Sequence, residues 1–355
     1  MNKKSRKEYD FFKLFDRYVS ETRRGKRKQK NHKRIKKETH RKYIYLRKQL
    51  EDFCTSENFH LRIIAANRLN QREYKSEQKY WENFYDKFTD YLYDKEKLYD
   101  NYVGLLMKLL RCFFNYLNMK GFSVGEFHKN FYAPNEEIQI IVLSTERLKF
   151  LIHNKEFENS LPHRLQKIKD IFVFGCTVAL RVSDLMNLTP NNIEKINGNV
   201  YLRVQSKKTQ TVTRVLLPQY AIDIIEKYST KKSLLPCYHK VYINKYGKEL
   251  MERAGWTETF VKIRQRRGLP ITVYKDPVTK IHFRFCEMVA SHLMRRTAIT
   301  NMLYLGMREE IVRKISGHAP GSKEFYRYVS YAQSLMDSET KSIHEKMAIK
   351  ETELV

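Results

Sequence analysis

Apolar residues recur three and four positions apart through the first third of the chain, the spacing of helices that bury one stripe. Tyr9, Phe12, Phe15 and Val19 predict a helix over 8–20, and Tyr43, Leu46, Leu50 and Phe53 predict a second. Trp81, Phe84, Phe88 and Leu92 mark a third over 74–94. Val103, Leu106, Leu110, Phe113 and Leu117 mark a fourth over 98–118, with Gly121 placed to cap it. Residues 23–42 read as a loop leading into the second helix. These four helices make a first domain, residues 1–130. A polar stretch with Pro134, residues 131–141, reads as a linker, and a second domain covers 142–355.

The second domain begins on helices. Ser144 is placed as an N-cap, and helices are expected over 145–153, 163–178 and 183–188. From 199 to 217 the period changes. Val200, Leu202 and Val204 alternate with other residues, and Val212, Val215 and Leu217 do so less strictly. Ser206, Lys207, Lys208, Thr209 and Gln210 lie between them, so the segment reads as a β-hairpin with a lysine-bearing turn. A short strand, Ile281–Phe285, precedes a helix that starts near His292. The expected fold class is mainly α with a small antiparallel sheet: an N-terminal helical domain followed by an α+β domain.

Charge adds a partner to this picture. The 355 residues hold 68 Lys and Arg against 40 acids, a net charge of +28, which points to a polyanion such as nucleic acid. Between Arg23 and Lys48 stand fourteen basic residues and one acid, Glu38. As phosphate contacts these would set affinity and salt dependence without reading sequence. Arg23, Lys42, Lys79 and Lys108 are the DNA-binding candidates by charge on the first-domain helices. The five cysteines are scattered, none at zinc spacing, so no metal site is expected. The basic start of the chain leads into no apolar run, so no signal peptide is expected, and no apolar stretch is long enough to cross a membrane. A cytoplasmic, nucleoid-associated protein is expected.

The chemistry gathers near the C-terminus. His292 and Arg295 stand three apart on a predicted helix, so both can reach one phosphate. Gly317-His318 and Tyr328 follow, while Ala179-Leu180-Arg181-Val182-Ser183-Asp184 lies upstream. Arginine presents a fork of donors to phosphate oxygens and keeps its charge. Histidines can share the protons, and a tyrosine hydroxyl can attack phosphorus. Each piece has a plain structural reading as well: Arg181 paired with Asp184, Lys207 and Lys208 as a solvated turn, and Tyr328 as one packing tyrosine among 24. His239 and His282 read as structural.

Leu180-Arg181-Val182-Ser183-Asp184-Leu185, then Ser291 through Thr297, then Ile315-Ser316-Gly317-His318, then Tyr328 together resemble the tyrosine recombinase (phage integrase) family, in particular integrases of Bacteroidetes mobile elements. The resemblance covers the second domain from about Val142 to Met336, and the first domain resembles the family's SAM-like core DNA-binding domain. It implies a site-specific recombinase that cuts and rejoins DNA through a 3′-phosphotyrosine intermediate and a Holliday junction, as integrase or excisionase of a mobile element. A DNA invertase or resolvase of the same family, a type IB topoisomerase and a non-catalytic DNA-binding regulator are the alternatives. By the same resemblance Arg181 and Arg295 would clamp the scissile phosphate, and His292 would take or relay the nucleophile's proton. His318 would hydrogen-bond the phosphate, Lys208 would protonate the departing 5′ oxygen, and Tyr328 would be the nucleophile. Asp184 stands where the family usually has Glu. A longer turn makes Lys207 the alternative to Lys208, and the spacing from His318 makes Tyr326 the alternative to Tyr328. The implied partners are double-stranded DNA recombination sites, a homotetramer on synapsed DNA and an accessory directionality factor, with no cofactor. The amphipathic tail from Ser334 to Ile349 would dock on a neighbouring protomer.

Overall fold

The structure, a computed structural model, describes residues 8–29, 32–206, 211–229 and 232–348. In chain order the main elements are β1 (Glu8–Asp10), α1 (Phe11–Arg23), α2 (Lys37–Ser56), β2 (Arg62–Ile64), α3 (Gln71–Asp90) and α4 (Asp100–Met119). Then come α5 (Thr145–His153), α6 (Lys155–Ser160), α7 (His163–Val178), α8 (Val182–Leu185), β3 (Ile193–Ile196), β4 (Asn199–Gln205), β5 (Val212–Leu216) and α9 (Gln219–Glu226). The chain continues through α10 (Lys240–Arg253), β6 (Thr259–Phe260), β7 (Lys262–Arg266), β8 (Leu269–Val273), β9 (Phe283–Arg284) and α11 (Phe285–Met288). It closes with α12 (His292–Tyr304), α13 (Glu309–Ser316) and α14 (Lys323–Ala348). Helix dominates and the sheets are small and antiparallel, as the hydrophobic pattern predicts.

Two compact units form. One runs to Ile138 and also holds Ile263–Thr272; the other holds the segment from Gln139 to Lys262 and everything from Val273 onward. The first unit packs α1 to α4 around an aromatic core in which Phe11, Phe15, Phe53, Phe84, Phe88 and Phe113 are fully buried. The buried face of α1 is Phe11, Phe15, Tyr18 and Thr22: Phe15 stands where the expected stripe had it, while Phe11 and Tyr18 take the places expected of Phe12 and Val19. The cause is local. Asp10 caps the helix by accepting the Lys13 N–H, and Glu8–Asp10 pairs as a strand with Arg62–Ile64, so the helix starts three residues later than its periodicity suggests. Gly121, at φ 80°, ends α4 with Phe122 N–H bonded to Leu117 C=O, the closure that a left-handed glycine permits.

The β7–β8 hairpin, which no hydrophobic period announced, belongs to this unit through its charges. Its tip, Arg267-Gly268, has positive φ at both residues, and both tip N–H groups donate to the buried Asp100 carboxylate at 2.8 and 2.9 Å. The Arg267 side chain pairs with Asp90 and Asp94, each at 2.7 Å, and Arg264 pairs with buried Glu136.

The second unit is built around α7 and α12. Helix α12 is buried on nearly every side, from Leu293 through Leu303. Two glycines allow the close approach: a side chain at Gly175 would strike Met294 and Leu185, and one at Gly247 would strike Phe172. The three-stranded sheet β3-β4-β5 pairs Leu202 with Val215 and Val204 with Thr213. Thr213, Val215 and Leu217 turn inward, so Val212, expected on that face, stands exposed. Helix α8 stops at Leu185, three residues short of the expected end. The tail is no separate segment: α14 runs unbroken from Lys323 to Ala348, with Ile343 and Met347 exposed.

Candidate active site

Three chain segments that end helices bring the predicted residues together in the second unit. Helix α7 ends at Ala179 in the left-handed conformation, φ 55°, a shape that costs a non-glycine residue energy and turns the chain sharply into Arg181. Arg181 then caps α8, and its Nη1 donates to Ser206 Oγ at 3.2 Å; that hydroxyl donates to buried Asp184 at 3.2 Å. Ser206 thus joins the end of β4 to the arginine motif.

Helix α13 ends the same way, with Gly317 at φ 64°. The Gly317 N–H bonds Lys314 C=O and the His318 N–H bonds Arg313 C=O, so the Gly-His pair forms the helix terminus and fixes the histidine's origin. Thr211, just before β5, and Thr213 on it lie against Gly317, at 3.0 and 3.3 Å from where a Cβ would stand. A side chain there would be strained by its backbone and crowded by the strand.

Arg295 links these termini. It is 3 % exposed, donates from Nη1 to Ala179 C=O and from Nη2 to Ser316 C=O, both at 2.7 Å, and meets His318 Nε2 at 3.2 Å. Both carbonyls lie at helix C-termini, where the partial negative charge favours a guanidinium. Burial, and then the charge of Arg181, still pull the Arg295 pKa down to about 10, leaving it ionised at neutral pH. His318 is also held by Ser316 Oγ, 2.8 Å from Nδ1. Burial first, and then Arg295, Arg181 and His292, push its pKa down to about 4. His292 opens α12 and keeps an exposed side. Desolvation, then Arg296, Arg295, Lys240 and Arg181, push its pKa to about 4 as well; for a ring that is partly wetted, the four cations are the firmer cause. Both rings are therefore neutral at neutral pH and able to accept a proton.

Tyr328, on α14, is 4 % exposed and packs with Ala179, Ala298, Ile299 and Phe325. Its ring centroid lies 6.0 Å from that of His318. Tyr326 points outward, 54 % exposed. Arg181, His292, Arg295, His318 and Tyr328 thus share one site. Lys208 and Lys207 lie outside the described residues. Arg23, Lys42, Lys79 and Lys108 are exposed at the end of α1 and along α2, α3 and α4, without ion pairs among the described residues. Sequence reasoning missed Ser206, Lys240 and the carbonyls of Ala179 and Ser316. The first reads only as part of the hairpin turn, and backbone acceptors leave no residue signal. No group of acids, histidines or cysteines among the described residues could hold a metal ion, and none of their helices is long and apolar enough to cross a membrane.

A search of known proteins bears on this arrangement. Residues 142–334, more than half of the chain, match the phage integrase family. No curated protein sequence matches. Among solved structures, a lambda integrase dimer bound to a COC' core site is 14 % identical with a TM-score of 0.57, over 91 % of this chain and 78 % of that one. The Tn1549 transposon integrase in complex with transposon right end DNA is 13 % identical with a TM-score of 0.57, over 96 % of this chain and all of that one. A lambda integrase tetramer bound to a Holliday junction is 13 % identical with a TM-score of 0.56, over 91 % and 80 %. At these identities the structures establish the shared fold. The chain belongs to the phage integrase family, the tyrosine recombinases.

Proposed function

We propose that this protein is a site-specific DNA recombinase that cuts and rejoins strands through a 3′-phosphotyrosine link. The observation that carries the reading is the convergence on one small site of Tyr328, His318, Arg295 and Arg181, residues drawn from four separate elements. Arg181 and Arg295 hold the non-bridging oxygens of the scissile phosphate and stabilise the charge that builds at pentacoordinate phosphorus; losing one such donor costs on the order of 10²–10³ in rate. The Tyr328 oxygen bonds to phosphorus while the bond from phosphorus to the 5′ oxygen breaks. His292, neutral in the free protein, accepts the tyrosine proton directly or through water, and His318 hydrogen-bonds the phosphate. Lys208 supplies the proton to the 5′ oxygen. One ester is exchanged for another, so rejoining needs no outside energy.

Exchange between two duplexes requires this step four times, through a Holliday junction held by four protomers; the family membership supports this reading. Integration or excision of a mobile element, aided by a directionality factor, is the proposed role. The test is covalent trapping on end-labelled DNA from the element's junctions. Wild type should give a protein–DNA adduct that Tyr328→Phe loses and Tyr326→Phe keeps. An adduct lost only in Tyr326→Phe would move the nucleophile, and none from wild type would leave a DNA-binding regulator.

A further inference from the structure

Two cations next to the candidate site make no ion pair among the described residues. Arg296 follows Arg295 on α12 and lies one turn beyond His292, so the side chains of 292 and 296 share a face. Its Nε is fully buried with no hydrogen bond, and the residue makes no ion pair among the described residues. Lys240 opens α10 and is likewise unpaired there. Asn244, one turn further along α10, accepts the Ser291 N–H at 2.8 Å, so the face of α10 that carries Lys240 and Asn244 meets the start of α12 beside His292. Both cations therefore lie near that histidine, and both act on its charge. A guanidinium with a buried, unpaired nitrogen is costly unless an anion arrives to meet it.

We propose that Arg296 and Lys240 bind a DNA backbone phosphate adjacent to the scissile one, on the His292 side of the site. The proposal rests on reading this cluster as a phosphate site and adds two residues to which the cleavage scheme gives no part. A phosphate there would pair both cations, fix the strand on the side where the nucleophile's proton leaves, and bring the Arg296 guanidinium the anion it lacks.

The test is the salt dependence of binding, by the full chain, to a fluorescein-labelled random-sequence duplex. Each phosphate contact contributes ~0.9 to the slope of log affinity against log salt. The Arg296→Gln/Lys240→Gln double variant should lower the slope by that amount, because one phosphate is at stake, so it loses about 3.5-fold less affinity than wild type over a fourfold rise in salt, and each single glutamine variant should show part of that change. Arg296→Lys should keep the slope. A purely structural arginine would lower the melting temperature and leave the slope alone, and unchanged slopes in both glutamine variants would overturn the proposal. Should Arg296→Gln fail to fold, the exposed Lys240→Gln and the charge-keeping Arg296→Lys still decide. On DNA whose cleavage site has been mapped, replacing the flanking phosphate by a neutral methylphosphonate should weaken wild type and leave the Arg296→Gln/Lys240→Gln double variant no weaker than before. Equal losses in both would overturn it. Binding slopes are read whether or not DNA is cut, so absence of a covalent adduct would sink the recombinase chemistry and leave this measurement standing.

Discussion

Helix α7 touches two clusters of charge, and they differ in one respect. Midway along it, Glu158 accepts from Lys155, Lys169 and Lys227 at 3.0–3.2 Å, and Asp170 accepts from Lys227 at 2.9 Å and from the Tyr228 hydroxyl at 2.7 Å. Burial opposes charge on Glu158, yet its three lysines hold its pKa down to about 2. With Asp223 on the wall of the same cavity of about 620 Å³, three cations face three anions. Beyond the end of α7, Arg181, Arg295, Arg296 and Lys240 gather around His292, with the Asp184 carboxylate acting on Arg295 and joined to Arg181 through Ser206, and with two helix-end carbonyls on Arg295. The first cluster is complete within the chain. The second has an excess of positive charge that only a ligand of opposite sign can meet, and that excess, more than the number of charged residues, marks the functional site.

The largest expected effect breaks the comparison at Arg181. Arg181→Ala should slow adduct formation by on the order of 10²–10³, while thermal stability holds or rises, because one of several like charges is gone. Arg295→Ala should match that loss of rate and also destabilise, since it leaves the Ala179 and Ser316 carbonyls unpaired. If Arg181→Ala cut as fast as wild type, the excess charge would have no role in catalysis. The balanced cluster should answer the other way. Asp170→Ala removes a buried partner of Lys169 and Tyr228 and should lower stability in urea by about 3 kcal/mol, with the salt slope of DNA binding unchanged.

A smaller effect separates the two by pH. His292 and His318 are held near 4, well below an unfolded histidine near 6.5. A folded pKa below the unfolded one means that the unfolded chain binds protons first. The stability present above pH 6.5 is therefore lost as pH falls from there toward 4. His128 in the first unit, also near 4 through burial, adds to the same decline. Bound DNA should change only the site pair, because a phosphate favours their protonated forms. Affinity for duplex should accordingly rise as pH drops from 6.5 to 5, and His318→Asn should reduce that rise. A pH-independent affinity would mean that the phosphate stays clear of both rings.

How much of this was legible in the sequence follows from what each feature writes into it. Stripes of large aromatics placed all four helices of the first unit, but the true face of α1 depended on the Asp10 cap and on strand pairing with residues 62–64, fifty positions away. The β7–β8 hairpin escaped because its hold is ionic and long-range, through Asp90, Asp94, Asp100 and Glu136. At the site, motif order brought Arg181, His292, Arg295, His318 and Tyr328 into one reading. It offered no sign of Lys240, which reaches the site only through the packing of α10 on the start of α12.

The smallest expected effect sharpens the register. Tyr326 and Tyr328 are two residues apart on one helix and so point about 200° apart. Tyr328 is in the core beside His318, and Tyr326 is in solvent. Tyr326→Phe removes one exposed hydroxyl, so adduct yield should stay as in wild type and stability should move by less than about 0.5 kcal/mol. For Tyr326 to attack instead, α14 would have to turn by nearly half a revolution. That turn would pull Phe325, Tyr328 and Ala332, all buried now, out of their contacts with Ala298, Ile299 and Leu303. Exposing three such side chains would cost several kcal/mol at about 25 cal/mol per Å² of apolar surface. A loss of adduct in Tyr326→Phe alone would therefore require α14 to be rebuilt on DNA, and the packing that now fixes Tyr328 would be a resting state that the reaction undoes.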